Sequence, residues 1–449
     1  MRSGRVEQRI EAAARFEAQG DGKRAEREYR AALEIAPRHL VALNNLGFLY
    51  AARGRFAEAA PLFRRAAVAH PADTTSLVNL AGVLRELGDE AGAVEAFARV
   101  VAADPASRSG RLNLANTLRS LGRLDQGRPH YQTLLERDPG DGLARWNLAA
   151  LEGLAGDWDA AFAGFALHHA LQPPAPPPAL PRWTGALLEG RRIRLEADQG
   201  LGDTLMFARL VRRVADRGGA VILRGQPALA PLLEPLDGLA VYSPRDRPAP
   251  DADVWFPLVD LPALPAIGAG GLEWSSAYVS APADRQTAWS ARLPKTGAVR
   301  VGLVWAGNPT HPDDRNRSMT FEALFRPLTA VAGVELISLQ VGPRGAEADG
   351  AAFLRAGPMI TDFADTAAAL AELDLVISVD TSVLHLAGAM GRPAWALLPY
   401  APDWRWRLSR ADTPWYSSLK LYRQLKPRDW GDVMERVVAD LRAFVKGRG

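Results

Sequence analysis

The run Asp374-Leu-Val-Ile-Ser-Val-Asp380-Thr-Ser-Val-Leu-His385-Leu-Ala-Gly-Ala-Met-Gly391, followed directly by Arg392-Pro-Ala-Trp-Ala-Leu-Leu-Pro399, reads as strand, tight turn, helix and strand. Positions 375–379 are mostly apolar and β-branched, as in a strand buried on both faces of a parallel sheet. Asp380, Thr381 and Ser382 are three N-cap-type residues in a row. Leu384, Ala387, Gly388 and Gly391 then follow at helical spacing until Pro393 forbids continuation. A helix therefore begins at the carboxyl end of a strand, where open α/β sheets place ligands, and its free N–H groups form a ready anion site. The alternative is a connecting turn in which Asp380 and Ser382 only cap.

The same residues resemble a known segment. Val-Asp380-Thr381-Ser-x-x-His385-x-Ala-Gly is similar to the Asp-Thr-Gly-x-x-His-x-Ala segment of the ADP-heptose:lipopolysaccharide heptosyltransferases, with Ser382 in place of their glycine. Leu398-Pro-Tyr-Ala-Pro-Asp-Trp-Arg-Trp406 resembles the segment that follows it in bacterial repeat-fused relatives.

With 449 residues, 48% hydrophobic and 23% charged, the chain is globular and long enough for two or three domains of roughly 150 residues. Lys+Arg 54 nearly balance Asp+Glu 51, and the arginines are spread evenly, which argues against nucleic acid as a partner. Without cysteine there is no disulfide, thiolate metal site or thiol nucleophile. The first ten residues lack an apolar core, and no apolar run approaches the ~18 residues that span a bilayer. These features predict a soluble, cytoplasmic protein.

Upstream, prolines at 37, 71, 105, 139 and 173 and glycines at 20, 54, 88, 122 and 156 recur every 34 residues. In the same frame Ala25, Ala59, Ala93, Gly127 and Ala161 share one column, and Tyr29, Phe63, Phe97, Tyr131 and Phe165 another. Leu46, Leu80, Leu114 and Leu148 fill the seventh position of units two to five. Small residues where helices cross, an aromatic four residues on and a boundary proline make the tetratricopeptide pattern, resembled over residues 6–173 as five units. Such units stack into a superhelix because no helix pair buries its own apolar face. Asn45, Asn79, Asn113 and Asn147 hold the sixth position and resemble the asparagine ladder of the O-linked N-acetylglucosamine transferases. An amide donates and accepts, so a ladder can hold an extended peptide backbone; the alternative is a role in helix packing. His168 and His169 point to different helix faces and are read as solvated or packed rather than metal-binding.

A Pro-rich linker at 174–181 marks the domain boundary. Beyond it, a strand candidate at 191–197 leads into Asp198-Gln-Gly200-Leu-Gly202-Asp203 and a helical run at 204–217. The turn lacks the third glycine of a dinucleotide fingerprint, which disfavours a nicotinamide cofactor. It resembles the Gly-x-Gly-Asp turn of the heptosyltransferases, which implies that Asp203 is the general base. A carboxylate is ordinarily a weak base, so this reading requires a closed, desolvating cleft around Asp203; the alternative is helix capping. Further strands are expected at 220–224, 239–242 and 254–256. Asp251 and Asp253 match Asp-x-Asp but precede a strand, and are not assigned a metal.

The second α/β half opens with a strand at 299–305 and a turn ending in Asn308. The polar loop Thr310-His-Pro-Asp-Asp-Arg315-Asn-Arg317-Ser318 resembles the family segment that brings a basic residue to the donor diphosphate, Arg317 first and Arg315 next. A guanidinium clamps two phosphate oxygens at once, whereas a merely solvated loop is the alternative. A strand at 335–340 sets Gln340 toward the same crevice, 361–365 caps the next helix near the nucleoside, and 429–445 forms a closing amphipathic helix of the kind that often packs back on the first half.

The resulting expectation is an all-α tetratricopeptide superhelix followed by α/β, with two Rossmann-like domains of the GT-B type at 182–295 and 296–449. The resemblance implies an inverting, metal-independent glycosyltransferase of hexosyl- or heptosyltransferase type, with a nucleotide sugar as co-substrate and no cofactor. Asp203 would be catalytic. Gly200, Gly202, Asn308, Arg315, Arg317, Gln340, Asp380, Thr381, Ser382 and His385 would bind the donor, and the four asparagines a protein or peptide acceptor. The competing readings are a repeat scaffold with an inactive transferase-like domain, and a glycan- or lipopolysaccharide-directed transferase.

Overall fold

The computed structural model describes residues 2–171, 178–268, 276–293, 296–311, 313–350 and 353–447. Half of the expected Pro-rich linker, at 174–177, lies outside the described residues. The chain divides into two compact units, 1–148 and 149–449.

Ten helices run from Arg2–Ala18 to Trp158–Leu171, in consecutive antiparallel pairs of 12 to 17 residues each. The column residues explain the pairing. Ala25, Ala59 and Ala93 are fully buried where helices cross, and Tyr29, Phe63, Phe97 and Tyr131 fill the space beside them. Glycines 20, 54, 88, 122 and 156 all take φ between 70° and 94° in the turn between paired helices, a conformation that costs any other L-residue strain.

The α/β unit holds two sheets. The first contains β1 (Arg192–Glu196), β2 (Ala220–Gly225), β3 (Leu239–Pro244) and β4 (Val254–Pro257) in the order β3-β2-β1-β4. The second contains β5 (Val299–Val304), β6 (Val334–Ser338), β7 (Leu354–Arg355), β8 (Leu375–Val379), β9 (Ala394–Leu398) and β10 (Leu419–Arg423) in the order β10-β9-β8-β5-β6-β7. Every pairing is parallel. All carboxyl ends of a sheet therefore lie along one edge, the edge that collects ligand loops in such folds. Central β5 and β8 are buried at every position, whereas β1 alternates.

Two local expectations are corrected. The run 204–217 is not one helix: Leu210 N turns to Phe207 O, splitting it into Leu201–Ala208 and Val211–Ala215 where Arg209 is drawn inward. The closing helix Gly431–Lys446 does not pack back on the first half. It lies on the helix Phe321–Leu328 and β10, with Val433, Met434, Val437 and Leu441 in the second half's own core. Strands β7 and β10 are additional to the elements read from the sequence.

Candidate active site

The two motif turns rise from the ends of β1 and β8. After β1, Gly200 is the N-cap of the helix Leu201–Ala208, and the Asp203 carboxylate reaches back to accept from Gly200 N at 3.2 Å. After β8, Thr381 is the N-cap of the helix Ser382–Ala389 and its side chain makes no capping bond, so the N–H groups of Ser382 and Val383 receive no cap from it. These two helices pack on one another. Gly202 makes the approach possible, because a Cβ there would lie 2.8 Å from the His385 ring.

His385 is buried, stacked on Trp406 at 5.5 Å and hydrogen-bonded through Nδ1 to the Tyr416 hydroxyl at 3.0 Å. Burial, then the charges of Arg405 and Arg209, push its imidazole well below its ordinary range, so it is neutral. Arg209 sits behind it, its guanidinium 5.0 Å from the Tyr278 ring and 4.7 Å from that of Tyr416, donating to Trp415 O at 2.7 Å.

The 3₁₀ turn Trp404–Trp406 sends three consecutive side chains in three directions. Trp404 enters an aromatic cluster with Trp158, Phe162, Phe165 and Trp415. Arg405 forms an ion pair with Asp203, 202 positions away in the chain, and donates to Asp403 at 2.7 Å. Trp406 donates from Nε1 to Asp380 Oδ2 at 2.8 Å. Burial works against the Arg405 charge, but Asp203 and Asp403 outweigh it and keep the guanidinium protonated. Burial and the nearby Asp403 carboxylate push Asp380 up to about 6, against the Trp406 hydrogen bond and the charges of Arg405 and Arg317.

Arg317 lies across the ends of β5 and β8. Its Nη1 donates to Asp380 O at 3.1 Å, its Nε is 3.4 Å from Asp314 Oδ1, and its side chain is mostly covered. The structure thus brings Gly202, Asp203, Arg317, Asp380, Thr381, Ser382 and His385 to one region, whereas other candidates go elsewhere. Gln340 does not face the crevice: buried, it accepts from Trp305 N and Ala306 N and donates to Ala306 O and Val341 O, and so clamps the ends of β5 and β6. Asn308 folds its own loop by accepting from Thr310 N at 3.1 Å, and Arg315 is exposed. Asp203 is not in the expected desolvating cleft, since its side chain is 23% exposed and paired with Arg405. Asp365, expected near the nucleoside, bonds Trp289 Nε1 and Arg285 instead. Asp253 accepts from Arg192 N at 2.7 Å. His169 is packed, bonded at 2.6 Å to buried Asp260. No group of three or more His, Asp or Glu side chains placed to hold a metal occurs among the described residues.

The residues missed from sequence are Asp403, Arg405, Trp406 and Tyr416. The first three lie in the run Leu398–Trp406, where an arginine between two tryptophans is the visible signal, whereas nothing in the sequence marks Tyr416.

In the repeat unit, the four asparagines are not alike. Asn45 Nδ2 donates to Tyr29 OH at 3.2 Å, and Asn147 is buried with Oδ1 3.5 Å from Arg119 Nη2. Asn79 and Asn113 are half-buried.

Residues 356–426, which include β8, the Asp380 turn and the Trp404–Trp406 turn, match glycosyltransferase family 9 (heptosyltransferase). Residues 10–74, 46–108 and 84–152 match tetratricopeptide repeats. Tetratricopeptide repeats are thus followed, in one chain, by a segment similar to family 9 glycosyltransferases. Protein FlbA of Caulobacter vibrioides (strain ATCC 19089 / CIP 103742 / CB 15) is 29% identical over 294 residues, 59% of this chain and 48% of FlbA. The chain therefore spans about half the length of that curated relative. Among solved structures, YrrB, a tetratricopeptide protein with an unusual peptide-binding site, is 22% identical, with 37% of this chain and 86% of YrrB covered at a TM-score of 0.34. MamA 41-end from Desulfovibrio magneticus RS-1 is 18% identical, with 37% and 95% covered at a TM-score of 0.35. No described helix is long and apolar enough to cross a membrane.

Proposed function

We propose that the family 9 domain transfers a sugar from a nucleotide-sugar donor to an acceptor hydroxyl, with inversion and without a metal for the leaving group. The observation that carries this reading is the contact of Gly202 with His385, which sets the turns after β1 and β8 face to face. In the proposed step the acceptor oxygen attacks the anomeric carbon, its proton passes to Asp203, from which bound donor and acceptor would exclude the water that reaches it in the free chain, and the bond to the diphosphate breaks with the electron pair leaving on phosphate oxygen. The N–H groups of Ser382 and Val383 and the Arg317 guanidinium would stabilise that departing charge. Arg405 would hold the Asp203 carboxylate in one orientation. Asp380 would accept from a donor hydroxyl, a role that suits a carboxylate better than contact with phosphate does.

The acceptor in this reading is a protein or peptide drawn along the repeats, supported by Asn79 and Asn113, whose side-chain amides make no hydrogen bond among the described residues. The bonds of Asn45 to Tyr29 and of Asn147 to Arg119 favour a second reading, in which the ladder is structural and the acceptor is a glycan. The deciding experiment is a hydrolysis and transfer screen of the whole chain across nucleotide sugars. Turnover of one donor, lost in Asp203→Asn, supports the transferase. No binding of any nucleoside diphosphate and no turnover would leave only the scaffold reading.

A further inference from the structure

The last repeat helix, Trp158–Leu171, does more than end an array. Phe162 lies edge-on to three rings at once: Phe207 at 6.0 Å, Trp404 at 5.6 Å and Trp415 at 6.3 Å. Phe207 is one turn beyond Asp203 on the helix Leu201–Ala208, and Trp404 immediately precedes Arg405. The two members of the Asp203–Arg405 ion pair are therefore each carried by a segment braced on the same phenyl ring. Trp158 and Phe165 close the cluster around Trp404 at 5.9 and 5.1 Å.

The turn itself is secured from several sides, so a displacement at Trp404 has no slack to absorb it. Trp415 Nε1 donates to Arg405 O at 2.8 Å, and Arg423 Nη2 donates to Trp406 O and Arg407 O, both at 2.9 Å. Arg407 has φ 55°, strain at a non-glycine residue that the surrounding bonds must hold, among them its own bond to Ala155 O at 2.9 Å. A backbone so pinned transmits the position of Trp404 to Arg405 and Trp406. It does not relax around it.

We propose that Phe162 is a positioning residue for the Asp203–Arg405 pair, and that the closing helix of the repeat array is thereby a working part of the transferase. This rests on the proposed function for its activity readout, though not for its geometry. Neighbouring aromatic rings at these separations constrain orientation as well as distance, and displacement of a reacting group by about 1 Å can cost about 100-fold in rate.

The test uses the full chain with Phe162→Ala, Phe162→Leu and Trp404→Phe, each first shown to melt cooperatively. Nucleoside diphosphate binding is measured by calorimetry with ADP, GDP, UDP and CDP, and turnover with the nucleotide sugar that wild type hydrolyses. In Phe162→Ala, kcat is expected to fall about 100-fold while nucleoside diphosphate Kd stays within about twofold. Phe162→Leu and Trp404→Phe, which keep most of the volume, should each lose much less. A Phe162→Ala protein with wild-type kcat overturns the proposal, and so does an equal loss in all three variants. If wild type itself binds no nucleoside diphosphate, the proposed function has failed, and the positioning is judged by carboxyl NMR of Asp380, assigned with Asp380→Asn. Its titration midpoint, raised in wild type by burial and Asp403, should move toward the ordinary carboxylate range in Phe162→Ala, as the turn bearing Asp403 and Trp406 shifts. An unmoved midpoint overturns the proposal independently of any donor.

Discussion

Gly202 lies against the imidazole of His385, so close that a Cβ at position 202 would stand 2.8 Å from the ring Cδ2, although the two residues sit on helices that follow strands of different sheets. The ring cannot retreat, being stacked on Trp406 and bonded to Tyr416. Gly202→Ala should therefore destabilise by about 1–3 kcal/mol, the usual cost of overpacking, and should impair donor turnover. Gly200→Ala is the control, since its nearest neighbour would be Asp203 Oδ2 at 3.3 Å. Equal melting temperatures for the two variants would show that the contact is soft.

Asp203→Asn keeps size and the reach back to Gly200 N but removes basicity. Transfer is expected to fall by roughly 10²–10⁴, the range for a general base, with nucleoside diphosphate affinity retained. A near wild-type rate would transfer the role to another group, and Asp380 would be examined first.

Arg317→Ala should weaken nucleoside diphosphate binding by about 1.5–3 kcal/mol, the loss of a charge-assisted hydrogen bond, while a plain nucleoside binds as before. Because Arg317 also donates to Asp380 O, Arg317→Lys separates charge from geometry. Equal weakening of both ligands would place Arg317 in support of the turn instead. Chelator should leave the rate unchanged; a strict divalent-ion requirement would contradict the metal-free step.

The asparagine ladder makes a graded prediction. If it holds a peptide backbone, Asn79→Ala with Asn113→Ala should raise acceptor KM and leave donor hydrolysis unchanged, each contact contributing about 0.5–1.5 kcal/mol. Adding Asn45→Ala and Asn147→Ala should cost thermal stability as well, because those amides bond Tyr29 and Arg119. A folded fourfold variant with normal acceptor kinetics would make the ladder structural.

Asp365 supplies a pH prediction. Burial alone would raise its carboxyl, but hydrogen bonds from Thr361 and Trp289 and the charge of Arg285 bring it down to about 2. A depressed carboxylate stabilises the fold above its unfolded value and loses that contribution as pH falls through the folded one. Asp365→Asn should therefore cost about 2 kcal/mol at neutral pH, and the gap should narrow between about pH 4 and pH 2. A pH-independent gap in the melts would mean that packing, not charge, dominates there.

The repeat array was legible because its information is periodic. A glycine every 34 residues, each with φ near 70° to 94°, and small and aromatic columns report one local geometry five times over. The two motif turns were legible for a related reason: an apolar run, glycines and cap-type residues describe a strand turning into a helix within a dozen positions. No such local signature existed for Gln340, which looked like a polar residue at a strand end and proved to be spent on four backbone bonds. For His169 the sequence left a solvated and a packed role open, and only the fold shows it sealed against Asp260, 91 positions away.

What the residues determined by themselves is the succession of elements, and with it the placing of Asp203 and Asp380 at the openings of helices that follow strands. Tertiary structure alone decided that Asp203 would be paired with Arg405, that the Asp380 carboxyl would titrate near 6, and that one phenyl ring of the last repeat helix would brace both segments of the ion pair. Helix starts and strand runs are set by neighbours a few residues apart, whose spacing is visible in the chain. Charge pairing and desolvation depend on which distant side chains exclude water together, and that becomes defined only when the sheets and helices have packed.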